Sequence, residues 1–256
     1  MNIFTAIILS VVEGITEFLP ISSTGHLILA SQILGVAQDD YIKTFEIAIQ
    51  SGAILSVLFI FGRILLKDRE ALKKTLVAFV PTGIIGFVGY RVIKNFFLGN
   101  LTLTLLSLFI GGVVILLFEK YNKKNKSRLL SSLTYKEAFI IGSLQALAVV
   151  PGVSRSAATM IPAMILGLSR AASAEFSFLL AIPTMFAATG YDLLKNFGKF
   201  DSSQFATLGI GFLVSFLTAW VTVTWFMKFI KGHSLTNFGI YRIGVAIVGI
   251  IFLFGQ

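Results

Sequence analysis

Residues 13–26 read EGITEFLPISSTGH, and residues 151–156 read PGVSRS. Both stretches place proline, glycine and polar side chains in the middle of apolar regions, about 3–35 and about 134–168. Each half of these regions is about 12–16 residues long, whereas a helix that crosses a bilayer needs roughly 20. We expect each region to form a re-entrant helical hairpin. Its broken backbone should face an internal cavity, because irregular backbone at membrane depth must be buried in protein or meet water.

The composition indicates an integral membrane protein. Hydrophobic residues make up 56% of the 256 and charged residues 13%, with a mean hydropathy of +0.89, whereas about a quarter of a soluble domain is charged. The absence of cysteine excludes disulfides, thiolate nucleophiles and cysteine metal sites. The net charge of +9 comes from basic residues at the ends of apolar segments. That pattern is typical of membrane topology signals, so no nucleic-acid partner is predicted.

The remaining apolar stretches predict six transmembrane helices, at about 41–62, 75–94, 100–119, 171–192, 204–229 and 238–254. With the two hairpins they predict an all-α membrane protein built as a single domain over residues 1–256. Basic clusters at 63–74 and 120–128 are separated by two crossings, so both can lie in the cytoplasm, as the positive-inside rule asks. Both termini and the loop at 36–40 are then expected outside.

Each half of the chain, about 1–128 and about 129–256, is predicted to hold one hairpin followed by three crossings. Three is odd, so the second half starts on the opposite side, which is an inverted-topology repeat. A shift of 132 residues supports this. It places Glu13 over Gln145, Ser22 over Ser154 and Ser23 over Arg155. The two hairpins are therefore expected to enter from opposite faces and to bring their polar tips together near the midplane.

The first hairpin contains two carboxylates, Glu13 and Glu17, on one helical face. Ionisable groups inside a membrane are costly and indicate function. We expect Pro20 to end the first helix and either Ser22 or Ser23 to cap the second, so that free N–H groups can bind an anion. His26 then lies one turn beyond these serines, within reach of a hydroxyl or a substrate oxygen.

The second hairpin has an arginine, Arg155, where the first has Ser23. A planar guanidinium suits bidentate binding of phosphate or carboxylate. The alternative is a structural ion pair with Glu13 or Glu17, and the two roles are compatible. Thr159, one turn later, is expected to add a hydroxyl on the same face. Gln50 and Glu175 are weaker candidates.

Together these residues predict phosphoryl transfer. Arg155 and the hydroxyls suit a phosphate, the carboxylates of Glu13 and Glu17 suit a divalent cation such as Mg²⁺ or Ca²⁺, and His26 suits proton transfer. Ser23 activated by His26 is the first choice of nucleophile. Direct attack by His26, or by a water that Glu17 activates, remains open. The remaining predicted substrate-binding residues are Ser22, Thr24, Gly25, Gly152, Ser154, Ser156 and Thr159.

Both polar stretches, with FEIAIQ at 45–50 and EFSFLL at 175–180, resemble the bacterial undecaprenyl-diphosphate phosphatases, the BacA/UppP family linked to bacitracin resistance. The resemblance extends along the whole chain. It implies removal of the terminal phosphate from undecaprenyl diphosphate, which yields the carrier lipid for cell-wall synthesis. It also implies a place in the bacterial cytoplasmic (inner) membrane, with the active site facing outside. One departure is Ala157, where the family's motif usually has glycine. Its methyl group is expected beside the phosphate without loss of activity.

A transport function is the main alternative, because inverted repeats with broken helices are also the architecture of secondary transporters. Such a protein would move an anionic polyprenyl lipid, with the carboxylates coupling to protons or sodium. The Ser23–His26 pair favours hydrolysis, since transport has no need of a nucleophile and a base. An intramembrane serine protease is excluded, because it explains neither Arg155 nor the paired carboxylates. The predicted partners are a polyprenyl diphosphate and the bilayer, and a homodimer is compatible with the sequence.

Overall fold

The computed structural model describes residues 1–36, 40–92, 100–122, 127–196 and 205–254. Those residues form ten α-helices and no strand, apart from an isolated bridge between Arg128 and Leu168. In chain order the helices are α1 (Ile3–Thr16), α2 (Ser23–Ile33), α3 (Asp40–Lys67), α4 (Arg69–Val92), α5 (Leu101–Tyr121), α6 (Tyr135–Gln145), α7 (Arg155–Ile165), α8 (Arg170–Asn196), α9 (Phe205–Phe229) and α10 (Thr236–Phe254).

Five of these helices, α3, α4, α5, α8 and α9, are long and apolar enough to cross a membrane. The sixth predicted crossing, α10, is apolar but shorter. Many large apolar side chains point outward, among them Phe87, Val88, Val221 and Val248. Apolar surface on this scale suits lipid and not water. The protein is therefore an all-α membrane protein, as predicted. Residues 123–126 of the second basic cluster and residues 37–39 of the 36–40 loop lie outside the described residues.

Both predicted breaks are present. The first region divides into α1 and α2, and the second into α6 and α7, with a short 3₁₀ turn at Ala146–Val149. Helix α1 ends at Thr16, four residues before Pro20. The proline still explains the end of the helix. In a continuous helix its ring would collide with the carbonyl four residues earlier, which belongs to Thr16.

The first arm of each broken region packs against a helix from the other half of the chain. Helix α1 lies against α9, and α6 lies against α4. Glycines permit the approach. A Cβ on Gly14 would lie 2.8 Å from the carbonyl oxygen of Ser215, and one on Gly142 would overlap the carbonyl of Ala78. The two halves are thus interlocked and share one central apolar core around Phe18, Phe178 and Phe226.

Ionic contacts hold together the end of the molecule that carries the basic clusters. Arg128 forms a two-bonded ion pair with Glu137, at 2.8 Å and 3.1 Å, and also donates to the carbonyl of Leu166. This joins the start of α6 to the end of α7. Arg170 forms a similar pair with Glu119, at 2.5 Å and 2.6 Å.

The Glu137 pair predicts a pH dependence of stability. The hydrogen-bonded Arg128 guanidinium lowers the pKa of Glu137 from 4.5 to about 2. A carboxyl group whose pKa is lower in the folded than in the unfolded state stabilises the fold at pH values above its unfolded-state pKa. That stabilisation is lost as the pH falls through the folded-state pKa. Glu137→Gln should therefore lower the melting temperature at pH 7, and the difference from wild type should shrink below pH 4.5. Thermal unfolding in detergent between pH 7 and pH 3 would measure it, and a difference independent of pH would contradict the assignment.

Candidate active site

The two hairpin tips meet inside the protein. The Ser154 hydroxyl of the second tip donates to the carbonyl of Leu19 in the first, at 3.4 Å. Beside this contact lies a cavity of about 160 Å³, well above the roughly 10–15 Å³ that one water needs. Six predicted site residues line it: Glu17, Ser22, Ser23, Thr24, Ser154 and Arg155. The predicted approach of the tips is confirmed.

Glu17 is the centre of the contact. Its Oε2 accepts a 2.5 Å hydrogen bond from the Ser23 hydroxyl, and its Oε1 accepts bonds from Nε and Nη2 of Arg155, both at 3.3 Å. Both ionised side chains are about nine-tenths buried or more. Arg155 also donates to the carbonyl of Ser177 and lies over the ring of Phe18. A buried carboxylate that binds a hydroxyl on one side and a cation on the other can accept a proton from that hydroxyl.

Two helix N-termini adjoin the cavity. Ser22 caps α2 by accepting from the Gly25 N–H at 3.4 Å, and Ser154 caps α7 by accepting from the Ala157 N–H at 3.2 Å. Of the two serines predicted to cap α2, Ser22 is the one that does so. Ser22 is the single described non-glycine residue with a positive φ, at 72°. Such strain concentrates at functional sites, where the surrounding structure maintains it.

The structure does not bring Ser23 and His26 together, so the predicted nucleophile–base pair was wrong. His26 Nδ1 bonds the carbonyl of Ser22 at 2.7 Å, and Nε2 bonds the hydroxyl of Tyr241 at 2.9 Å. A carbonyl can only accept, so Nδ1 carries the proton. His26 thereby holds the strained turn immediately before Ser23. The prediction failed because sequence spacing does not fix the direction of a side chain. One helical turn after the cap, the imidazole of His26 points back over the backbone of the turn and not toward the hydroxyl of Ser23.

Four predicted substrate-binding residues do not line the cavity. The hydroxyl of Thr159 donates to Ser177, and that of Ser156 contacts the sulfur of Met160. Gly25 lies against Leu108, so its lack of a side chain serves packing between α2 and α5. The fourth, Gly152, has φ +88° and passes close to the carbonyl of Thr104. Arg155 and Ser156 are adjacent on a helix and so point in different directions.

Glu13 is buried at 0% exposure, and neither of its oxygens has a hydrogen-bond partner among the described residues. It does not line the cavity. The described ranges contain no group of three or more His, Cys, Asp or Glu residues that could hold a metal ion.

Four polar residues around the site carry little or no weight in the sequence-based prediction. Gln50, a weaker candidate, lines the cavity, as does Thr184. The side-chain amide of Gln145 donates to Thr184 and to Thr82, both at 3.0 Å. The fourth, Arg242, is buried at the tips and is absent from the prediction. An arginine within the apolar stretch 238–254 was the signal that could have identified it.

Known proteins resemble this chain over nearly its whole length. A family profile described as "Bacitracin resistance protein BacA" matches residues 6–248. The undecaprenyl-diphosphatase of Aquifex aeolicus is 49% identical over 252 residues, which covers 97% of each chain. That of Wolinella succinogenes is 51% identical over 256 residues, covering 99% of this chain and 98% of the relative. The chain belongs to the BacA family.

In this BacA-family chain, Ala157 does not lie where its departure from the usual motif suggested. Its side chain is buried in the central apolar core, near Met160 and Phe178, and not beside the cavity. The substitution adds a packed methyl group to the first turn of α7 and leaves the lining of the cavity unchanged.

The buried ion pair predicts an asymmetric response to mutation in this BacA-family protein. Glu17→Gln should destabilise the fold by about 3 kcal/mol, because it leaves the Arg155 guanidinium buried without a counter-charge. The double variant Glu17→Gln/Arg155→Met should regain a large part of that loss. Thermal unfolding in detergent measures both. A double variant that is as unstable as the sum of its two single variants would show that the pair is not coupled.

Proposed function

We propose that this protein hydrolyses undecaprenyl diphosphate to undecaprenyl phosphate and inorganic phosphate, which recycles the carrier lipid for cell-wall synthesis. Relatives named undecaprenyl-diphosphatase match it over nearly the whole chain. The structural observation that carries the proposal is the contact of Ser23, Glu17 and Arg155 at one cavity. It supplies a nucleophile, a base and a phosphate-binding cation within one another's reach.

Ser23 is the nucleophile in this mechanism, and Glu17 is its base. The hydroxyl proton of Ser23 passes to Oε2 of Glu17 while Oγ attacks the terminal phosphorus. The bond from that phosphorus to the bridging oxygen breaks, and undecaprenyl phosphate departs. Water then attacks the phosphoserine, Oγ recovers its proton from Glu17, and inorganic phosphate is released. The 2.5 Å Ser23–Glu17 hydrogen bond supports Ser23 as the nucleophile over His26 and over a water activated by Glu17.

Phosphate recognition falls to the two tips. Arg155 borders the cavity and can neutralise charge on the diphosphate as it moves toward the leaving group. The N-terminal N–H groups of α2 and α7 also favour an anion, since both helices begin beside the cavity. Thr24 and Gln50 add polar groups to the lining. His26 is a positioning residue that acts through the backbone of Ser22.

A divalent cation, Mg²⁺ or Ca²⁺, is also proposed. Glu13 supports it, because an unpaired carboxylate buried in protein is costly and hard cations take oxygen ligands. Glu13 and Glu17 would be the residues that hold the ion. When bound, it would neutralise negative charge on the diphosphate.

The inverted repeat with six crossings and two re-entrant hairpins in one domain is proposed as the membrane arrangement. Several contacts fit such a repeat, since α1 against α9 corresponds to α6 against α4, and α3 packs on its counterpart α8 as α5 packs on its counterpart α10. The second hairpin begins beside the start of α4, where Tyr135 bonds Glu70 and Lys74 bonds the carbonyl of Ser131. The first hairpin leads into the opposite end of α3. Hairpins entering from opposite faces fit these contacts.

We place the active site on the periplasmic side of the bacterial inner membrane. At 1.5 Å per residue, Gln50 lies about 15 Å from the Asp40 end of α3 and about 26 Å from the basic Lys67 end. Thr184 is likewise nearer to the end of α8 that is remote from Arg170. The prenyl tail would lie in the bilayer between crossings. Transport of the lipid gains no support from the relatives' names, and a homodimer stays a prediction.

Detection of a phosphoserine tests the nucleophile. The substrate is undecaprenyl diphosphate labelled with ³²P at its terminal phosphate. Rapid quenching of the wild-type reaction should yield labelled protein. The Ser23→Ala variant should yield no labelled protein and should release phosphate at least 100-fold more slowly. Ser56→Ala is the matched control, because that buried hydroxyl bonds a backbone carbonyl and does not line the cavity. Near-normal turnover by Ser23→Ala would remove Ser23 from the role. Wild-type protein without hydrolysis would overturn the function.

Replacement of His26 separates a positioning role from a base role. An asparagine can donate its side-chain amide to the Ser22 carbonyl as Nδ1 does, but it cannot accept a proton near neutral pH. We expect His26→Asn to keep turnover within about tenfold of wild type and His26→Ala to lose clearly more. Steady-state phosphate release measures both. Equal and nearly complete inactivation of the two variants would restore His26 as the base.

A further inference from the structure

Arg242 is a buried cation that the proposed chemistry does not use. It lies in α10 at 1% exposure, and its guanidinium forms no ion pair with the carboxylates of the described residues. Its hydrogen bonds go to four backbone carbonyls. Nη1 donates to Pro20 at 3.2 Å, Nη2 to Gly152 at 2.8 Å and to Ser107 at 3.2 Å, and Nε to Leu108 at 3.3 Å.

These four acceptors belong to three separate parts of the fold. Pro20 is in the turn of the first hairpin, Gly152 is in the turn of the second, and the other two carbonyls belong to α5. Backbone carbonyls inside a membrane protein must find hydrogen-bond donors, and Arg242 supplies one to a carbonyl in each turn. A single rigid guanidinium therefore satisfies both turns and anchors them to the same helix.

Each of the two bonded carbonyls in the turns lies three residues before a residue of the proposed reaction. Pro20 precedes Ser23, and Gly152 precedes Arg155. The separation of the nucleophile from the phosphate-binding arginine thus depends on how the two turns are held relative to each other. Arg242 does not line the cavity. Its influence on the reaction must pass through the backbone.

We propose that Arg242 is a positioning residue that sets the distance between Ser23 and Arg155 by holding both hairpin turns with one guanidinium. This inference rests on the proposed phosphatase function. It assigns α10 a part in the reaction, although α10 contributes no residue to the cavity lining.

The space for the guanidinium is provided by Gly111 of α5. A Cβ at Gly111 would overlap Nη2 of Arg242, and the three atoms nearest to it all belong to the guanidinium. Gly111→Ala therefore displaces the group while keeping its charge. Gly244→Ala, on α10 itself, is the matched control, because a Cβ there meets nothing within 4 Å.

The experiment compares Arg242→Gln, Gly111→Ala and Gly244→Ala with wild type. It measures kcat and KM with undecaprenyl diphosphate, and the Kd of a methylene-diphosphonate analogue that cannot be hydrolysed. A misplacement of about 1 Å costs roughly 100-fold in rate. We expect kcat to fall at least 30-fold in Arg242→Gln and in Gly111→Ala, with the analogue Kd within threefold of wild type. Gly244→Ala should stay within twofold in both measurements.

Two results would overturn the inference. The first is a kcat within threefold of wild type in Arg242→Gln or in Gly111→Ala, measured on a variant that still binds the analogue. The second is a parallel loss of kcat and analogue binding in Gly111→Ala, which would mean that Arg242 maintains the fold or contacts the substrate. If Arg242→Gln does not fold, the result for Gly111→Ala alone decides the test. A wild-type protein that binds the analogue but releases no phosphate would instead overturn the proposed function, and this inference with it.

Discussion

The carboxylate of Glu17 joins the two hairpins and is also the proposed base. One oxygen binds the Ser23 hydroxyl of its own hairpin, and the other binds Arg155 of the second. Burying either charge without the other would cost several kcal/mol. The approach of the tips is therefore required by electrostatics and by the chemistry together. The caps at Ser22 and Ser154, and the cavity between them, depend on that approach.

Much of the architecture follows from the sequence, because length and apolarity decide where a helix can cross lipid. The breaks at residues 13–26 and 151–156 were visible as proline and serine clusters, and both caps follow from the preference of serine for helix starts. The contact of Arg155 with Glu17 was foreseen as one of two roles. The five longest crossings lie within a few residues of their predicted bounds.

The partner of each side chain was harder to predict, because it depends on directions within a turn. His26 and Ser23 are three residues apart, yet the strained backbone of Ser22 sends the imidazole toward a carbonyl and Tyr241. Thr159 shares a helix with Arg155 but bonds Ser177 of α8. Arg242 escaped notice because its partners are backbone carbonyls, which no sequence motif records.

The exchange of partners between the two halves has a consequence for biosynthesis. Helix α1 is made first, but the helix that it packs against, α9, emerges from the ribosome only after most of the chain. At roughly 5–20 residues per second, that interval is on the order of ten to forty seconds. During this time α1, which carries the buried Glu13, packs only against α2 and α3 among the helices that it contacts in the finished protein. Completion of the membrane protein is thus a late, concerted event and not a sequence of finished halves.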